Sequence, residues 1–463
     1  MASVVPVTEE DAKSELHAYL EAHPDTRFME LLAPDMVGVL RGKRAGPDDF
    51  EKVFGTGVNH CGSAVVLDTK GSCFEGAGYG WEDGDPDVRA RAVPGSLAPV
   101  PWATLPTAQV LLELFNLDGS EYFLDPRHVL RRALKPLTEK GLHPVMATEL
   151  EFYLVEHDGR TWLPGVSRIP GSDVRQTGLQ YGVFEDLEEV DAFLHDLDSI
   201  CQEQNIPAGA ALSEYAPGQF EVNLHHVDSP ELACDHAVLL KRAVKAAARS
   251  NDLAATFMAK PFADTAGSGL HLHISLLDDD GNNVFAGKSE DGPWSDTLRH
   301  AIGGLAEIMA ESMAIYSINA NSYRRYSLHA YVPRSPNWGP NHRSLSLRIP
   351  LSSAKNTRIE HRVSGADANP YLTAAAVFAG IHHGIVNKIE PGPMVGEREA
   401  VEEVRTLPTR WPVALDAFDN GKILRRYMGE DYHRIFGICR REESERFQAE
   451  ITDRDYEWYL RAV

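Results

Sequence analysis

Apolar residues along the chain fall into two rhythms, and the points where one gives way to the other mark the elements. Glu9 to Ala22 carries a helical pattern, and strand-like runs follow at Arg27 to Leu32 and Ala64 to Leu67. From Val93 to Pro106 the chain is rich in proline and small residues. Gln109 to Phe115 then reads as another strand before the turn Leu117-Asp118-Gly119-Ser120. These signals predict a small α+β unit over residues 1–118 and a larger α+β unit over residues 119–463. In the larger unit Leu298, Ile302, Leu305 and Met309 stand three or four apart, as on a helix packed against a sheet. Ala243 to Ala255 and Tyr371 to Ile385 also read as helices. There is no internal repeat and no low-complexity tract.

Five strand-like segments alternate in an unusual way, because the residues opposite the apolar face are carboxylates, imidazoles and guanidiniums rather than generic polar surface. In Thr148 to Val155, Leu150, Phe152 and Leu154 point one way while Glu149, Glu151 and Tyr153 point the other. Phe220, Val222 and Leu224 oppose Glu221 and Asn223. Leu270, Leu272 and Ile274 oppose His271, His273 and Ser275. Ile359, His361 and Val363 oppose Arg358, Glu360 and Arg362, and Leu345, Leu347 and Ile349 oppose Ser344, Ser346 and Arg348. Taken one at a time, each polar face also fits a solvated edge, a structural histidine or a salt-bridge ladder. Recurrence in five segments with intact apolar faces points to one shared cavity.

Composition narrows the chemistry such a cavity can serve. The 463 residues are 43% hydrophobic and 24% charged, as in an ordinary globular enzyme of more than one domain. A formal net charge of -23 argues against nucleic acid or an anionic membrane as partner and suits a cationic substrate, although it also simply favours solubility. The five cysteines lack any CxxC spacing, so a cytoplasmic location is expected rather than a disulfide scaffold or a thiolate zinc site. Met1 to Glu21 is polar and acidic, and no apolar stretch approaches the roughly 18 residues of a membrane span. Neither secretion nor membrane insertion is expected.

Glutamates brought close together repel unless they hold protons or share divalent cations, and oxygen-rich sites with an occasional imidazole suit Mg²⁺ or Mn²⁺. Arginines beside them are natural clamps for phosphate and carboxylate oxygens. Together these are the parts used for phosphoryl transfer.

In order along the chain stand Asp35-Met-Val-Gly38 with Arg41-Gly-Lys43, Asp125-Pro-Arg127, Glu149-Leu-Glu151-Phe-Tyr, and Glu214 with Pro217-Gly-Gln219-Phe-Glu221. Lys260-Pro261, Gly267 through Ser275, Asn321-Ser-Tyr323, Arg343 through Pro350, Arg358 through Arg362 and Asn369-Pro-Tyr371 follow. This series resembles the type I glutamine synthetases from about Arg27 to the C-terminus. The resemblance implies a β-grasp-like N-terminal domain, a catalytic domain with a curved antiparallel sheet, and a homo-oligomer, a dodecamer of two stacked hexameric rings with sites between subunits. It implies ATP as co-substrate and two or three Mg²⁺ or Mn²⁺ ions, one on Glu151, Glu214 and Glu221 and another on Glu149, His271 and Glu360. It matches Arg325 to the clamp on the glutamate α-carboxylate, Gly267 to its amino group and Arg362 to its side-chain carboxylate. His273, Ser275, Arg343, Arg348 and Arg358 match positions around the ATP phosphates. Asp35 matches the aspartate that, from a neighbouring subunit, takes a proton from the amine.

Three departures define the subclass. The flap glutamate of ammonia-using members, counted between Arg325 and Pro333, is replaced here by Tyr331. Ala266 stands where an asparagine commonly contacts the bound amino acid, and Leu372 to Arg426 has no tyrosine that could serve as an adenylylation switch. The pattern is most similar to ligases that join glutamate to polyamines and other amines, with putrescine favoured as donor. A glutamine synthetase using ammonia, a ligase for a monoamine such as methylamine, isopropylamine, ethanolamine or an aromatic amine, and an inactive scaffold are the alternatives.

Overall fold

A computed structural model describes residues 9–74, 76–169, 171–176, 181–287, 293–326, 331–401 and 406–463. Residues 1–8 of the polar N-terminus and 327–330 of the flap segment lie outside the described residues. The architecture is mixed α+β, built on two sheets. The first has six strands in the order Leu40–Ala45, Phe28–Pro34, Thr107–Phe115, Asp87–Ala92 and Val58–Cys61, with Ala98–Pro99 also paired to Thr107–Phe115. The second has nine. Its path runs Trp338–Pro340, Leu347–Ile349, Ile359–His361, Leu270–Leu277, His143–His157, Gln219–Leu224 and Ala208–Ser213, and Ala254–Thr256 and Trp162–Pro164 add to the central strand His143–His157. This larger sheet is antiparallel except where Trp338–Pro340 runs parallel to Leu347–Ile349 at one edge. This mixed α+β architecture agrees with the sequence pattern.

Helices form where side chains satisfy their first N–H groups. Ser229 accepts from the Leu232 N–H ahead of Pro230–Ser250, Ser295 from the Leu298 N–H ahead of Asp296–Tyr316, and Asn369 from Tyr371 and Leu372 ahead of Pro370–Asn387. Pro230 and Pro370 occupy the first turn, where their missing N–H costs nothing.

Two local expectations shift. Ala64 to Leu67 lies largely in the short 3₁₀ turn Gly62–Val66, which buries Val65 and Val66 while Val65 offers its carbonyl to Met36 N–H. An apolar run of four residues is too short to separate a strand from a turn. The helix expected over Ala243 to Ala255 is the end of Pro230–Ser250. The chain leaves it through Asp252, at φ 58°, and Ala254–Thr256 pairs with Val155, Leu154 and Tyr153. A ladder on the sheet edge there outweighs the helix preference of alanine.

Helices Asp296–Tyr316 and Pro370–Asn387 cross at glycines. A Cβ on Gly304 would stand 2.2 Å from Gly380 O and 2.4 Å from Gly384 N. Gly304→Ala is therefore expected to lower the unfolding free energy by about 2 kcal/mol or more, within the range for overpacked cores. An unchanged urea midpoint would show that the helices do not pack this closely.

Candidate active site

Strand register converts five alternating segments into one wall. Glu151 stands opposite Glu221 and Glu149 opposite Asn223 on one side of the central strand, and Glu149 stands opposite His271 on the other. His273 in turn faces Glu360, and Glu360 faces Arg348. The reverse faces carry Leu150, Phe152, Phe220, Val222, Leu270, Leu272 and Ile359 into the core, each no more than 2% exposed. Burial of that apolar face fixes the register, because a slip of one residue would turn every carboxylate inward.

The wall lines a cavity of about 890 Å³ containing Glu149, Glu151, Glu214, Glu221, His271 and Glu360 together with Gly267, Arg325, Tyr331, Arg343, Arg348 and Arg362. A second cavity of about 1030 Å³ adjoins it. Ser275 lines this second space, and Glu149, His273 and Arg358 line both. Arg343 and Arg348, expected near ATP, lie on the carboxylate side, while Ser275 lines only the other space and His273 and Arg358 stand between the two.

Ligand atoms of Glu151, Glu214 and Glu221 come within 4.8 Å of one another, as do those of Glu149, Glu221 and His271 and those of Glu149, His273 and Glu360. The first group is the one expected from sequence. The second regroups the expected set, because Glu360 lies beside His273 rather than His271, as the register across their two strands requires. His273 Nε2 lies 2.7 Å from Glu149 Oε1, while its Nδ1 accepts from Arg358 Nε at 3.1 Å. With both ring nitrogens engaged, His273 orients Glu149 and leaves His271, 3.1 Å from Glu149 Oε2, as the better metal donor.

The electrostatics fit a divalent ion. Burial, and then repulsion from Glu149, Glu151 and Glu214, pushes the Glu221 carboxyl up to about 9. Burial followed by the charge of Glu151 raises Glu214 to about 7. Burial would raise Glu149 too, but hydrogen bonds from His271 and His273 outweigh it and hold the carboxyl below the usual range. Burial likewise opposes Arg362 and the two histidines at Glu360, which settles at about 2. Such a donor set, all oxygen apart from one imidazole, suits Mg²⁺ or Mn²⁺.

Arg325 and Arg362 are buried, and the Nε of each has no hydrogen-bond partner among the described residues. Arg325 is aimed by a bond from Nη1 to Val363 O at 3.1 Å, and Arg362 Nη1 pairs with Glu360. The turn that carries Arg325 is tied down by Asp367, whose Oδ2 accepts from Ser322 Oγ at 2.7 Å and Asn319 Nδ2 at 2.8 Å. Gly267 lies so close to Arg325 that a Cβ there would stand 2.7 Å from its Cγ. Nearby, Tyr153 OH donates to Ala266 O at 2.7 Å and fixes this loop on the central strand.

Several participants carried no signal of their own in the sequence. Gln219 donates from Nε2 to Glu151 at 3.3 Å and to Gly267 O at 3.1 Å, linking the metal-type group to the loop. Asn341 accepts from Arg348 at 2.9 Å. Tyr181 and Tyr215 line the cavity as well, and the Tyr215 ring stands edge-on to Tyr331 at 6.3 Å. Gln219 lay inside a recognised motif; the others are loop residues whose positions depend on the fold.

Asp35 is not brought to this site. It is fully buried in the turn between Phe28–Pro34 and Leu40–Ala45, where Oδ1 accepts from the Val37 and Val39 N–H groups and Oδ2 from Arg41 Nε at 2.7 Å. It lines neither cavity. A carboxylate so held shapes its own turn, and the role expected for Asp35 belongs to the site of a neighbouring subunit rather than to the cavities of its own chain.

Comparison with known proteins agrees with the geometry. Residues 123–459 match the family described as glutamine synthetase, catalytic domain. The chain is 39% identical over 450 residues to gamma-glutamylputrescine synthetase PuuA of Escherichia coli (strain K12), covering 96% of this chain and 94% of that one. It is 31% identical over 426 residues to a glutamate–isopropylamine ligase of Pseudomonas sp, covering 90% and 92%. Among solved structures, ligand-free GmaS superposes with a TM-score of 0.81 at 25% identity, over 96% of this chain and 99% of that chain. No helix among the described residues is long and apolar enough to cross a membrane. With two carboxylate groups, a row of arginines and a match across most of its length, the chain belongs to the glutamine synthetase family and is, with it, an ATP-dependent ligase.

Proposed function

We propose that the protein joins the γ-carboxylate of glutamate to an organic primary amine at the expense of ATP, with a diamine or polyamine such as putrescine favoured as donor. The observation that carries this reading is the cavity in which carboxylate groups of metal-binding type stand beside Arg325, Arg343, Arg348 and Arg362.

Arg325 and Gly267 hold the amino-acid end of glutamate, and Arg362 directs its γ-carboxylate. From the adjoining cavity, Arg358 and Ser275 position ATP so that its terminal phosphoryl group meets that carboxylate. Glu151, Glu214 and Glu221, and beside them Glu149, Glu221 and His271, would hold Mg²⁺ or Mn²⁺, which would supply positive charge against the phosphate oxygens. The bond from the terminal phosphorus to the ADP oxygen breaks as a bond from the carboxylate oxygen to phosphorus forms, giving γ-glutamyl phosphate. Arg343 and Arg348 offset charge on the transferred group. The amine nitrogen then attacks the γ-carbon, the carbon–oxygen bond breaks with its electrons leaving on phosphate, and the proton lost by the nitrogen passes to a base, the role proposed for Asp35 of a neighbouring subunit. The relatives named for putrescine and isopropylamine ligation support an organic donor, as does Tyr331 on the cavity wall.

The working assembly in this reading is the homo-oligomer of two hexameric rings implied by the family. Trp458, 61% exposed on the C-terminal helix Asp453–Tyr459, is the kind of surface a subunit contact covers.

Glutamate labelled with ¹⁸O in its γ-carboxylate tests the intermediate. With ATP, Mg²⁺ and putrescine, one labelled oxygen per turnover is expected in the released phosphate. Unlabelled phosphate alongside amide product would eliminate the acyl phosphate.

A further inference from the structure

The cavity wall includes three exposed phenols that the phosphoryl-transfer chemistry does not use. Tyr181, Tyr215 and Tyr331 are 52%, 40% and 64% exposed, and all three line the cavity that holds the carboxylate groups. Tyr215 and Tyr331 stand toward its solvent end, whereas the Tyr181 phenol lies within electrostatic reach of Glu214, Arg343 and Glu221. The Tyr215 and Tyr331 rings meet edge to face at 78°, an arrangement that leaves other ring faces free. Tyr215 directly follows Glu214, and its N–H bonds to the Glu214 carboxylate at 3.1 Å, so the ring is anchored to the wall of the reaction site. Asp264 lines the same cavity.

Exposed aromatic rings beside Glu214 and its neighbouring carboxylates suit a cation that must keep its charge while its carbon chain is partly desolvated. The quadrupole of each ring attracts an ammonium over its face, and the ring body packs on methylenes. A metal-bound phosphate has no use for such a surface.

We infer that Tyr215, with Tyr331, forms a seat for the distal ammonium of the donor, so that the enzyme selects α,ω-diamines and polyamines over monoamines of equal length. This inference rests on the amine-ligase reading of the cavity and assigns its specificity to these rings. The nitrogen that attacks lies toward the carboxylates, and the far nitrogen remains protonated at the tyrosines.

The test compares putrescine with n-butylamine, in which a methyl group replaces the distal ammonium. The measured quantity is the ratio of their kcat/KM values, since any loss common to both amines cancels. The unsubstituted enzyme is expected to favour putrescine by at least about thirtyfold. Tyr215→Leu should lower that ratio by about tenfold, and Tyr331→Leu by a similar factor, whereas Tyr215→Phe, which keeps the ring face, should hold it within about threefold. A ratio unmoved by either leucine variant, or lowered as much by phenylalanine as by leucine, overturns the seat while leaving the ligase reading intact. If the unsubstituted enzyme turns over neither amine, the diamine-donor reading falls and the seat with it.

Discussion

Glu221→Gln is expected to lower turnover by at least about a thousandfold, equivalent to about 4 kcal/mol of transition-state stabilisation. Glu221 belongs to two of the three groups of converging ligand atoms, with Glu151 and Glu214 in one and with Glu149 and His271 in the other. Glutamine keeps the volume and one oxygen but removes the charge, so two ion sites weaken together. The fold should survive. Glu221 faces Glu151 across the ladder, and burial with three neighbouring carboxylates pushes it from 4.5 to about 9. A neutral side chain therefore suits the metal-free protein. Thermal unfolding in excess chelator should show Glu221→Gln at least as stable as the parent, while activity at saturating Mg²⁺ is lost.

The sign of the pH dependence follows from the same groups. In chelator, Glu214 and Glu221 retain protons in the folded chain that the unfolded chain releases above about 4.5, so folded stability should fall as pH rises toward the values of about 7 and 9 at which they ionise. Mg²⁺ competes with those protons, so its affinity should rise over the same window. Calorimetric titration at pH 6.5, 7.5 and 8.5 measures this. Full activity of Glu221→Gln, or Mg²⁺ affinity independent of pH, would contradict the assignment.

Ammonium should be a poor donor, with kcat/KM at least about a hundredfold below the best primary amine, a gap of about 2.7 kcal/mol. At the flap position the side chain is Tyr331, 64% exposed on the cavity wall. A phenol supplies neither the negative charge nor the ready base that a carboxylate would offer a small cation. An alkylamine regains binding by burying methylenes at about 0.8 kcal/mol each, so three or four offset roughly 2 to 3 kcal/mol. Ammonium has no carbon to bury. Tyr331→Glu should narrow the gap. Kinetics with ammonium, methylamine, ethanolamine, putrescine and spermidine at fixed ATP and glutamate decide the matter, and parity of ammonium with every amine would return the protein to ammonia-dependent glutamine synthesis.

Much of the site was legible because strand alternation has a period of two. Any sequence reader can see that Glu149 and Glu151, or His271 and His273, share a face opposite leucines and phenylalanines, since an apolar face must be buried for the sheet to form. The helices Asp296–Tyr316 and Pro370–Asn387 were similarly visible, one as the apolar stripe of Leu298, Ile302, Leu305 and Met309 and the other as the run Tyr371 to Ile385. Where local preference was weak, as at Ala64 to Leu67 and Ala254 to Thr256, neighbouring strands and turns decided the outcome.

The sequence by itself determined which side chains face which way, and the order of its motifs named the family. Only the tertiary structure decided which strands are neighbours and in what register, because pairing joins segments far apart in the chain, such as Glu151 with Glu221 and Glu149 with His271, whose alternation permits many alignments. That register puts Glu360 beside His273 rather than His271, joins Gln219 to both Glu151 and Gly267, and encloses Asp35 against Arg41 away from the cavities. It also brings Tyr215 to Tyr331 across 116 positions of chain, from loops that have no periodicity to read. Alternation encodes direction along one strand, whereas convergence is a property of the packed sheet, set by burial of its apolar face against the helices behind it.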